Sequence, residues 1–178
     1  MSRKNKIEYG KYIFQDDDFK SGNMFLATSL LASQLQASAL EAIVRCTDPA
    51  ILEFERNSKL TYFYDGRQRG IFYVQSIKRV GPERYAISAT STLGLLIEGL
   101  HYGGIYTGQT AKEVIASICG TVPFAIKHNL EGIKLYGWLP IASPRDNLAQ
   151  VLFAIGAALK TDLDGVLRIE GLWDGISG

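Results

Sequence analysis

The chain has 178 residues, of which 47% are hydrophobic and 21% are charged, and its formal net charge is +1. This composition is typical of a globular protein that buries a core, and it excludes an intrinsically disordered chain. The lack of dense clusters of Lys and Arg argues against a protein that binds nucleic acid through many phosphate contacts. We interpret the one basic cluster, Arg3, Lys4 and Lys6, as a solvated terminus.

The cysteine content and the hydropathy pattern indicate the cellular compartment in which the chain is made. Cys46 and Cys119 are far apart in the sequence and lie among apolar residues, which predicts buried free thiols instead of a disulfide or a zinc site. No run approaches the roughly 18 apolar residues of a membrane span, and no long apolar segment follows the N-terminal charges as in a secretory signal. We therefore expect synthesis in a reducing cytoplasm, with no membrane span, no cofactor and no bound metal.

The N-terminal segments predict mainly β-structure. Residues 6–15, "KIEYGKYIFQ", alternate apolar and polar positions with a break at Gly10, as one or two strands would. The following "DDDFKSGN" is predicted to be a polar loop. Residues 24–46 are ambiguous, since their Ala, Leu and Gln content suits a helix. Their later half alternates and ends in β-branched residues, so we assign that half to a strand.

A three-stranded meander is predicted further along. The turn Asp65-Gly66 separates two β-rich runs, Leu60 to Tyr64 and Gly70 to Ile77, which is a strong hairpin signal. A second turn at Pro82 leads into a third strand from Arg84 to Ala89. Aromatic side chains are frequent in the meander, and because neighbouring strand residues point to opposite faces we expect most of them to pack in the core. They are Tyr62, Phe63, Tyr64, Phe72, Tyr73 and Tyr85.

From about residue 100 the pattern changes to alternating helix and strand. The segment "HYGGIYTGQ" is predicted to be a Gly-rich connector. Thr110 and Glu113 then form a capping-box pattern that begins a helix, and Gly120 is a stop signal for it. "PFAIK" is predicted to be a short strand, and "GIKLYGWLP" a less regular extended segment.

The strongest local signal lies in residues 137–171. Ser143 is a favourable N-cap, Pro144 suits the first helical position, and Asp146 falls in the first turn. An apolar stripe at helical spacing follows, which needs a partner surface either within the chain or on another subunit. It comprises Leu148, Val151, Leu152, Ile155 and Leu159, with Ala154, Ala157 and Ala158 beside it. A strand, an Asp164-Gly165 turn and a second strand are predicted after it.

No catalytic, cofactor-binding or metal-binding residues are predicted. A nucleophile at Cys119 with His101 or His128 as its base is weakly supported, because Cys119 falls at the end of a predicted helix.

The carboxylates fit a solvated loop and a turn better than a pair for glycoside cleavage. They are Asp16, Asp17, Asp18, Asp162 and Asp164. A calcium loop starting at Asp162 would need Glu at its twelfth position, where Trp173 stands. The helix start at Thr110 is at best a weak anion site.

The order of three segments resembles the tail and baseplate hub proteins of bacteriophages and prophages, including the contractile-tail hub and the late-control protein family. The segments are "GIFYVQSIKRVGPERYAISATSTLGLL", "HYGGIYTGQTAKEVIASICG" and "GWLPIASPRDNLAQVLFAIGAALKTDLDGVLRI", within roughly residues 60–170. Their shared motifs concern packing and capping and include no catalytic signature. Members of the family are usually longer, and this chain stops at "GLWDGISG", so we expect its second domain to be truncated at the C-terminus.

The resemblance implies a structural role. Hub proteins of this kind form trimeric rings that continue the tail tube and hold a spike or a tape-measure end. We therefore expect an α+β fold with a small antiparallel β-barrel, tail-tube-type domain in residues 1–100, and an α+β domain with two short helices in residues 101–178. The expected function is a non-enzymatic homotrimeric hub component in the virion tail, in contact with tube, spike and tape-measure proteins. The alternatives are a peptidoglycan hydrolase and a carbohydrate-binding tail module.

Overall fold

The computed structural model describes residues 4–25 and 35–173 and has a mixed α+β fold, which confirms the expected fold class. Arg3, the first half of the ambiguous segment from residue 26 onwards, and the last five residues lie outside the described part. The chain divides into two compact units. The described part of the first unit comprises residues 4–25, 37–92 and 163–165, and that of the second comprises 35–36, 93–162 and 166–173.

The first unit is built on one antiparallel sheet of seven strands. The strands are β1 (Asn5–Tyr9), β2 (Tyr12–Gln15), β3 (Phe19–Phe25), β4 (Ala39–Arg45), β5 (Lys59–Tyr64), β6 (Arg67–Gly81) and β7 (Arg84–Thr90). Their order in the sheet is β2-β1-β5-β6-β7-β4-β3. The predicted meander is present as β5, β6 and β7, and the later half of the ambiguous segment is β4, as expected.

The sheet curls strongly, because its two edge strands are consecutive in the chain. Only the short 3-10 turn Asp16–Asp18 joins β2 to β3. Four residues of chain span at most about 14 Å, whereas six strand spacings in a flat sheet would separate these edges by about 29 Å. Because the link between the two edge strands is so short, the sheet must curve until its edges lie near each other, in an open, barrel-like form.

The interior of the curled sheet is formed by alternate residues of its strands. In β7, Tyr85, Ile87 and Ala89 are buried while the residues between them are partly exposed. The same alternation in the other strands contributes Ile7, Phe14, Leu40, Val44, Leu60, Phe72 and Val74 to one apolar cluster. Burial of apolar area on this scale is the main force that holds such a domain together.

The prediction for "DDDFKSGN" was wrong. Asp16–Asp18 form the 3-10 turn, and the next seven residues are strand β3. β3 pairs with β4 along its length, so non-local hydrogen bonds override a polar local composition. The interpretation of Lys6 as part of a solvated terminus was also wrong, since it lies in β1, within 2.8 Å of the Glu8 carboxylate and over the ring of Phe63.

The second unit contains five strands and three helices in its described part. The elements are β8 (Gly104–Thr110), α1 (Ala111–Cys119), β9 (Phe124–Ile126), α2 (His128–Glu131), β10 (Lys134–Leu139), α3 (Pro144–Ala154), β11 (Ala157–Thr161) and β12 (Leu167–Gly171). The strands β11, β12 and β9 form a three-stranded sheet, in which β12 runs parallel to β9. β8 and β10 form a separate two-stranded sheet. The one-turn helix α2 stands where a loop was expected at His128.

Both predicted helix starts are confirmed in detail. At α1 the Glu113 backbone amide donates to Thr110 Oγ1, and the Glu113 carboxylate accepts from the Thr110 amide, which completes the capping box. At α3 the Asp146 amide donates to Ser143 Oγ, and Pro144 occupies the first helical position. Both helix starts are determined by side chains at the first few positions of the helix, so they can be predicted from the sequence alone.

The apolar stripe belongs to two elements and not to one helix. α3 ends at Ala154, and Gly156, with φ of 64°, turns the chain into β11, where Leu159 lies. The residues of the stripe, Leu148, Val151, Leu152, Ile155 and Leu159, are all buried. These five side chains are therefore covered within the chain, whereas Ala154, beside the stripe, is exposed.

Candidate interaction surface and the His101 network

The two-stranded sheet formed by β8 and β10, called the ribbon below, has one face made of large side chains. Ile105 lies directly opposite Trp138, and Thr107 opposite Tyr136, in an antiparallel register with a bulge between Leu135 and Tyr136. Residues directly opposite each other, and residues two apart on one strand, point to the same side of a sheet. These four side chains therefore share one face.

That face is open to solvent. Ile105 is 78% exposed, Trp138 72% and Tyr136 74%. The same strands continue past the ribbon to a bridge between His101 and Ala142, and further exposed apolar side chains lie at that end. They are Leu100, Tyr102 and Ile141. Exposed apolar area concentrated in this way is characteristic of interaction sites, whereas singly scattered apolar residues are ordinary.

The opposite face of the ribbon turns towards the helices. Tyr106 and Leu135 line a groove of about 140 Å³ together with Val114 of α1 and Val151 of α3. Val114 and Val151 are buried and Tyr106 and Leu135 partly so. Tyr136 and Trp138 also border this groove, but they stay 74% and 72% exposed, whereas Tyr106 and Leu135 are partly buried on the side of the helices.

Sequence reasoning missed the ribbon, because "HYGGIYTGQ" was expected to be a connector. Gly103 and Gly104 have φ of 70° and 155°, and a Cβ at Gly103 would lie 2.1 Å from the Leu139 carbonyl oxygen. These glycines let the two strands approach closely at the start of β8. The available signal was the β-branched and aromatic content of residues 105–107 and of "LYGWL".

A polar network ties the start of the ribbon to two helices. Asn147 is completely buried at the start of α3, and its Nδ2 donates to His101 Nδ1 at 2.7 Å and to the Pro140 carbonyl oxygen at 2.9 Å. On the other side of the ring, His101 Nε2 lies 3.4 Å from Ser117 Oγ on α1. Burial lowers the pKa of His101.

This Ser-His-Asn arrangement has the wrong hydrogen-bond directions for a nucleophilic triad. The Gly103 amide, which can only donate, also points to His101 Nδ1, at 3.3 Å. Nδ1 is therefore an acceptor, and in the neutral ring the proton is on Nε2. Ser117 Oγ in turn donates to the Val114 carbonyl oxygen at 2.8 Å. A base that already carries the proton on the side facing the serine cannot activate it, so the network connects elements and does not prepare a nucleophile.

The Cys119 thiol and the His128 ring considered from sequence have different surroundings, since the first is buried and the second is exposed. Cys46 and Cys119 are free and buried, as predicted. Burial raises the pKa of Cys119 to about 12, so its thiol stays protonated near neutral pH. The His128 ring is exposed and its Nδ1 lies 2.7 Å from the Glu131 carboxylate.

Three of the five carboxylates, Asp16, Asp18 and Asp162, accept hydrogen bonds from backbone amides. Asp16 accepts from the backbone amides of Lys4 and Asn5 at 2.7 and 2.8 Å, and Asp18 accepts from that of Gln15. Asp162, expected to shape only its own turn, is buried and accepts from the Leu93 amide at 2.7 Å. In the described residues there is no group of three or more His, Cys, Asp or Glu side chains arranged to hold a metal ion.

Two other sequence-level candidates are also accounted for by packing. Phe72 and Tyr85 of the meander are buried in the core and Tyr62 packs against it, as expected, whereas Phe63 and Tyr73 are only partly buried and Tyr64 is exposed. At the start of α1, the Glu113 carboxylate already occupies the side where an anion would bind. Within the described residues, no helix is long and apolar enough to cross a membrane.

The fold is that of phage and prophage tail proteins of known structure. The 43 kDa tail protein of prophage MuSo2 from Shewanella oneidensis is 16% identical, with a TM-score of 0.64 over 94% of this chain and 54% of its own. The tail protein from Neisseria meningitidis MC58 is 13% identical, with a TM-score of 0.65 over 95% of this chain and 50% of its own. The prophage tail protein gp18 from Listeria monocytogenes EGD-e is 12% identical, with a TM-score of 0.60 over 94% and 50%.

The likeness is one of fold and not of close sequence. No family model matches the sequence, and no curated protein matches it at a significant level. The chain spans about half the length of the three tail proteins. The likeness covers nearly the whole of this chain in each case, so both units take part in it.

Proposed function

We propose that the chain is a structural, non-enzymatic component of a phage or prophage tail. The observation that carries this proposal is the likeness in fold to three tail proteins over 94% or more of the chain. The hydrogen bonds around His101 and the protonated Cys119 thiol agree with a role that needs no nucleophile.

Within the tail, the proposed position is the baseplate hub. The strongly curled sheet of the first unit supports it, since sheets of this kind, placed side by side in a homotrimer, would form a ring that continues a tube. The resemblance to contractile-tail hubs and to the late-control family points the same way. The partners in this proposal are the tube, the spike and the tape-measure protein, and the location is the tail of the virion.

Deletion of the gene from the phage or prophage tests the proposal. We expect particles without complete tails in negative-stain images, and restoration of tails when the wild-type gene is supplied in trans. Complete and infectious particles in the deletion strain would contradict a structural role. A chain carrying His128→Ala should restore tails as well as wild type, because that ring is exposed and has no role in the proposed assembly.

An assay of the purified chain separates this function from peptidoglycan hydrolysis. We expect no release of soluble muropeptides from purified cell walls at any pH between 5 and 8. Release above the level of a buffer control, abolished by Cys119→Ala or His128→Ala, would replace the structural proposal with an enzymatic one.

A further inference from the structure

We propose that the His101 ring is a proton-controlled latch, which holds the start of the ribbon closed while the ring is neutral and opens it when the ring takes up a second proton. The latched segments are residues 101–103 and 140–142, which the backbone bridge between His101 and Ala142 joins. The opening is local, so α1, α3 and the paired part of the ribbon stay folded. This inference does not rest on the proposed tail function.

Apolar burial contributes little to holding these two segments in place. Leu100, Tyr102 and Ile141 are 63%, 77% and 64% exposed. Segments with few buried apolar contacts open locally at a small cost in free energy. Hydrogen bonds hold these segments instead. The backbone amides of His101 and Ala142 donate to each other's carbonyl oxygens at 2.8 and 3.1 Å, and the His101 ring joins them to α3.

Two donors point to one nitrogen of the ring. The side-chain amide of Asn147 donates to His101 Nδ1 at 2.7 Å, and the Gly103 backbone amide points to the same atom at 3.3 Å. Both contacts use the lone pair of Nδ1, which a neutral ring offers and a doubly protonated ring does not. Protonation of Nδ1 therefore turns two attractive contacts into repulsive ones.

The Asn147 amide cannot accept the added proton without a loss elsewhere. Its Oδ1 is buried without a hydrogen-bond partner among the described residues, and a half-turn of the amide would bring this oxygen to the ring. The same half-turn would remove Nδ2 from the Pro140 carbonyl oxygen, which it holds at 2.9 Å. Because Asn147 is completely buried, water does not replace a lost partner there. The closed latch therefore excludes the protonated ring, which moves out to solvent.

Charged side chains do not compensate for the added proton. The elements packed against the ring, α1 and α3, carry only four charged residues, which are Lys112, Glu113, Arg145 and Asp146. Residues 99–103 and 139–143 contain none. Glu113 accepts from the Thr110 amide, and Asp146 lies 3.4 Å from Arg145. Burial alone lowers the pKa of His101, with no contribution from any charged group of the described residues.

The helices do not depend on the ring for their own stability. Thr110 caps α1 and Ser143 caps α3, and neither cap uses an atom of His101. Ser117 lies 3.4 Å from the ring but donates to the Val114 carbonyl oxygen at 2.8 Å, so it keeps a partner when the ring leaves. Beyond the bridge, β8 and β10 are paired by their own backbone hydrogen bonds. The opening therefore stops at the start of the ribbon.

Hydrogen exchange of the full chain, followed by NMR, tests the inference. The amides to follow are those of His101 and Ala142, since opening breaks the hydrogen bonds that they donate. Their opening constants, corrected for the intrinsic effect of pH on exchange, should rise several-fold between pH 7.5 and 5.5. The ceiling is about 10-fold, because the open ring titrates with its ordinary pKa of 6.5 and the closed ring stays neutral. Amides of α1 and α3 should change by less than about 2-fold.

Three variants separate the ring from other effects of acid. In His101→Asn the side-chain oxygen replaces Nδ1 as an acceptor and does not titrate, so the opening constants should not depend on pH. His128→Ala is the matched control, because it removes the other of the two histidines, which is exposed, and it should behave as wild type. In Asn147→Asp a carboxylate faces Nδ1, so the pKa of His101 should rise above that of wild type and acid should no longer open the latch. Circular dichroism should show that each variant folds.

The NMR shifts of the ring nitrogens give an independent readout. At pH 7.5 they should show a neutral His101 ring with its proton on Nε2. A proton on Nδ1 at that pH would overturn the inference, as would opening constants that do not change with pH or that change equally in His101→Asn. Equal opening of α1 and α3 would show that acid unfolds the whole unit, which would also overturn a local latch. Each of these results leaves the deletion phenotype, and therefore the tail function, unaffected.

Discussion

The side-chain nitrogen of Asn147 lies 2.7 Å from Nδ1 of His101, and this hydrogen bond joins the start of α3 to the chain that leads into the ribbon. Asn147 is completely buried and also holds the Pro140 carbonyl oxygen. Since the amide nitrogen donates, the bond requires a neutral imidazole with its lone pair on Nδ1. The attachment of the ribbon to α3 thus depends on the protonation state of one histidine.

The first prediction concerns the pH dependence of stability. Burial lowers the pKa of His101 below its ordinary value of 6.5. As the pH falls through about 6.5 the unfolded chain takes up a proton there while the folded chain does not, so stability from this site is complete above that pH and is lost below it. We expect the free energy of unfolding of wild type, measured by urea denaturation, to fall between pH 7.5 and 5.5 more than that of His101→Asn. Equal pH dependence in the two proteins would contradict this.

The second prediction concerns the buried carboxylate of Asp162. Its hydrogen bond to the Leu93 amide links residues 69 apart in sequence. Asp162→Ala leaves that buried amide without its charged acceptor, and we expect a loss of about 1.5–3 kcal/mol in the free energy of unfolding. Asp17→Ala, at an exposed position in the 3-10 turn Asp16–Asp18, is the control and should change stability by less than about 0.5 kcal/mol. Equal effects of the two substitutions would contradict a special role for Asp162.

The third prediction separates the two sides of α3. Leu148 is completely buried, whereas Phe153 is 77% exposed. Leu148→Ala should lower the free energy of unfolding by about 2–5 kcal/mol, since it removes buried methyl groups and leaves a cavity. Phe153→Ala should change it by less than about 0.5 kcal/mol. If Phe153→Ala were the more harmful substitution, the helix would be packed with its other side inward.

The fourth prediction concerns thiol reactivity. The pKa of Cys119, raised to about 12 by burial, keeps the thiolate fraction very small at pH 8. We expect Cys119 in the native protein to react with a disulfide reagent at least 100-fold more slowly than in urea, with Cys46→Ser as the background so that a single thiol is followed. Rapid labelling of native Cys119 would contradict its burial and would reopen a nucleophilic role.

The features that could be predicted from the sequence are those that short-range chemistry determines. The capping residues Thr110 and Ser143 act on amides three residues away, and the Asp65-Gly66 turn needs only its own backbone angles. The division of the meander's aromatic side chains between the core and the exterior also followed from the alternation of strand residues.

The features that were missed depend on partners far away in the sequence. β3 and β8 are polar or Gly-rich and become strands only because β4 and β10 pair with them. The stripe was read as one helix since Leu159 continues the helical spacing, although Gly156 interrupts it. The exposed ribbon face that carries Trp138 could not be foreseen at all, because its exposure follows from which side of the ribbon the helices cover.

Labelling of the chain in purified particles tests the tail assignment most directly. An epitope tag on the gene, followed by immunogold negative-stain electron microscopy, should place gold at the end of the tail opposite the capsid, where a hub would lie. Mass spectrometry of the same particles should detect the chain in an amount similar to that of the other proteins of the baseplate hub. Gold on the capsid, or particles that contain none of the chain, would contradict the account.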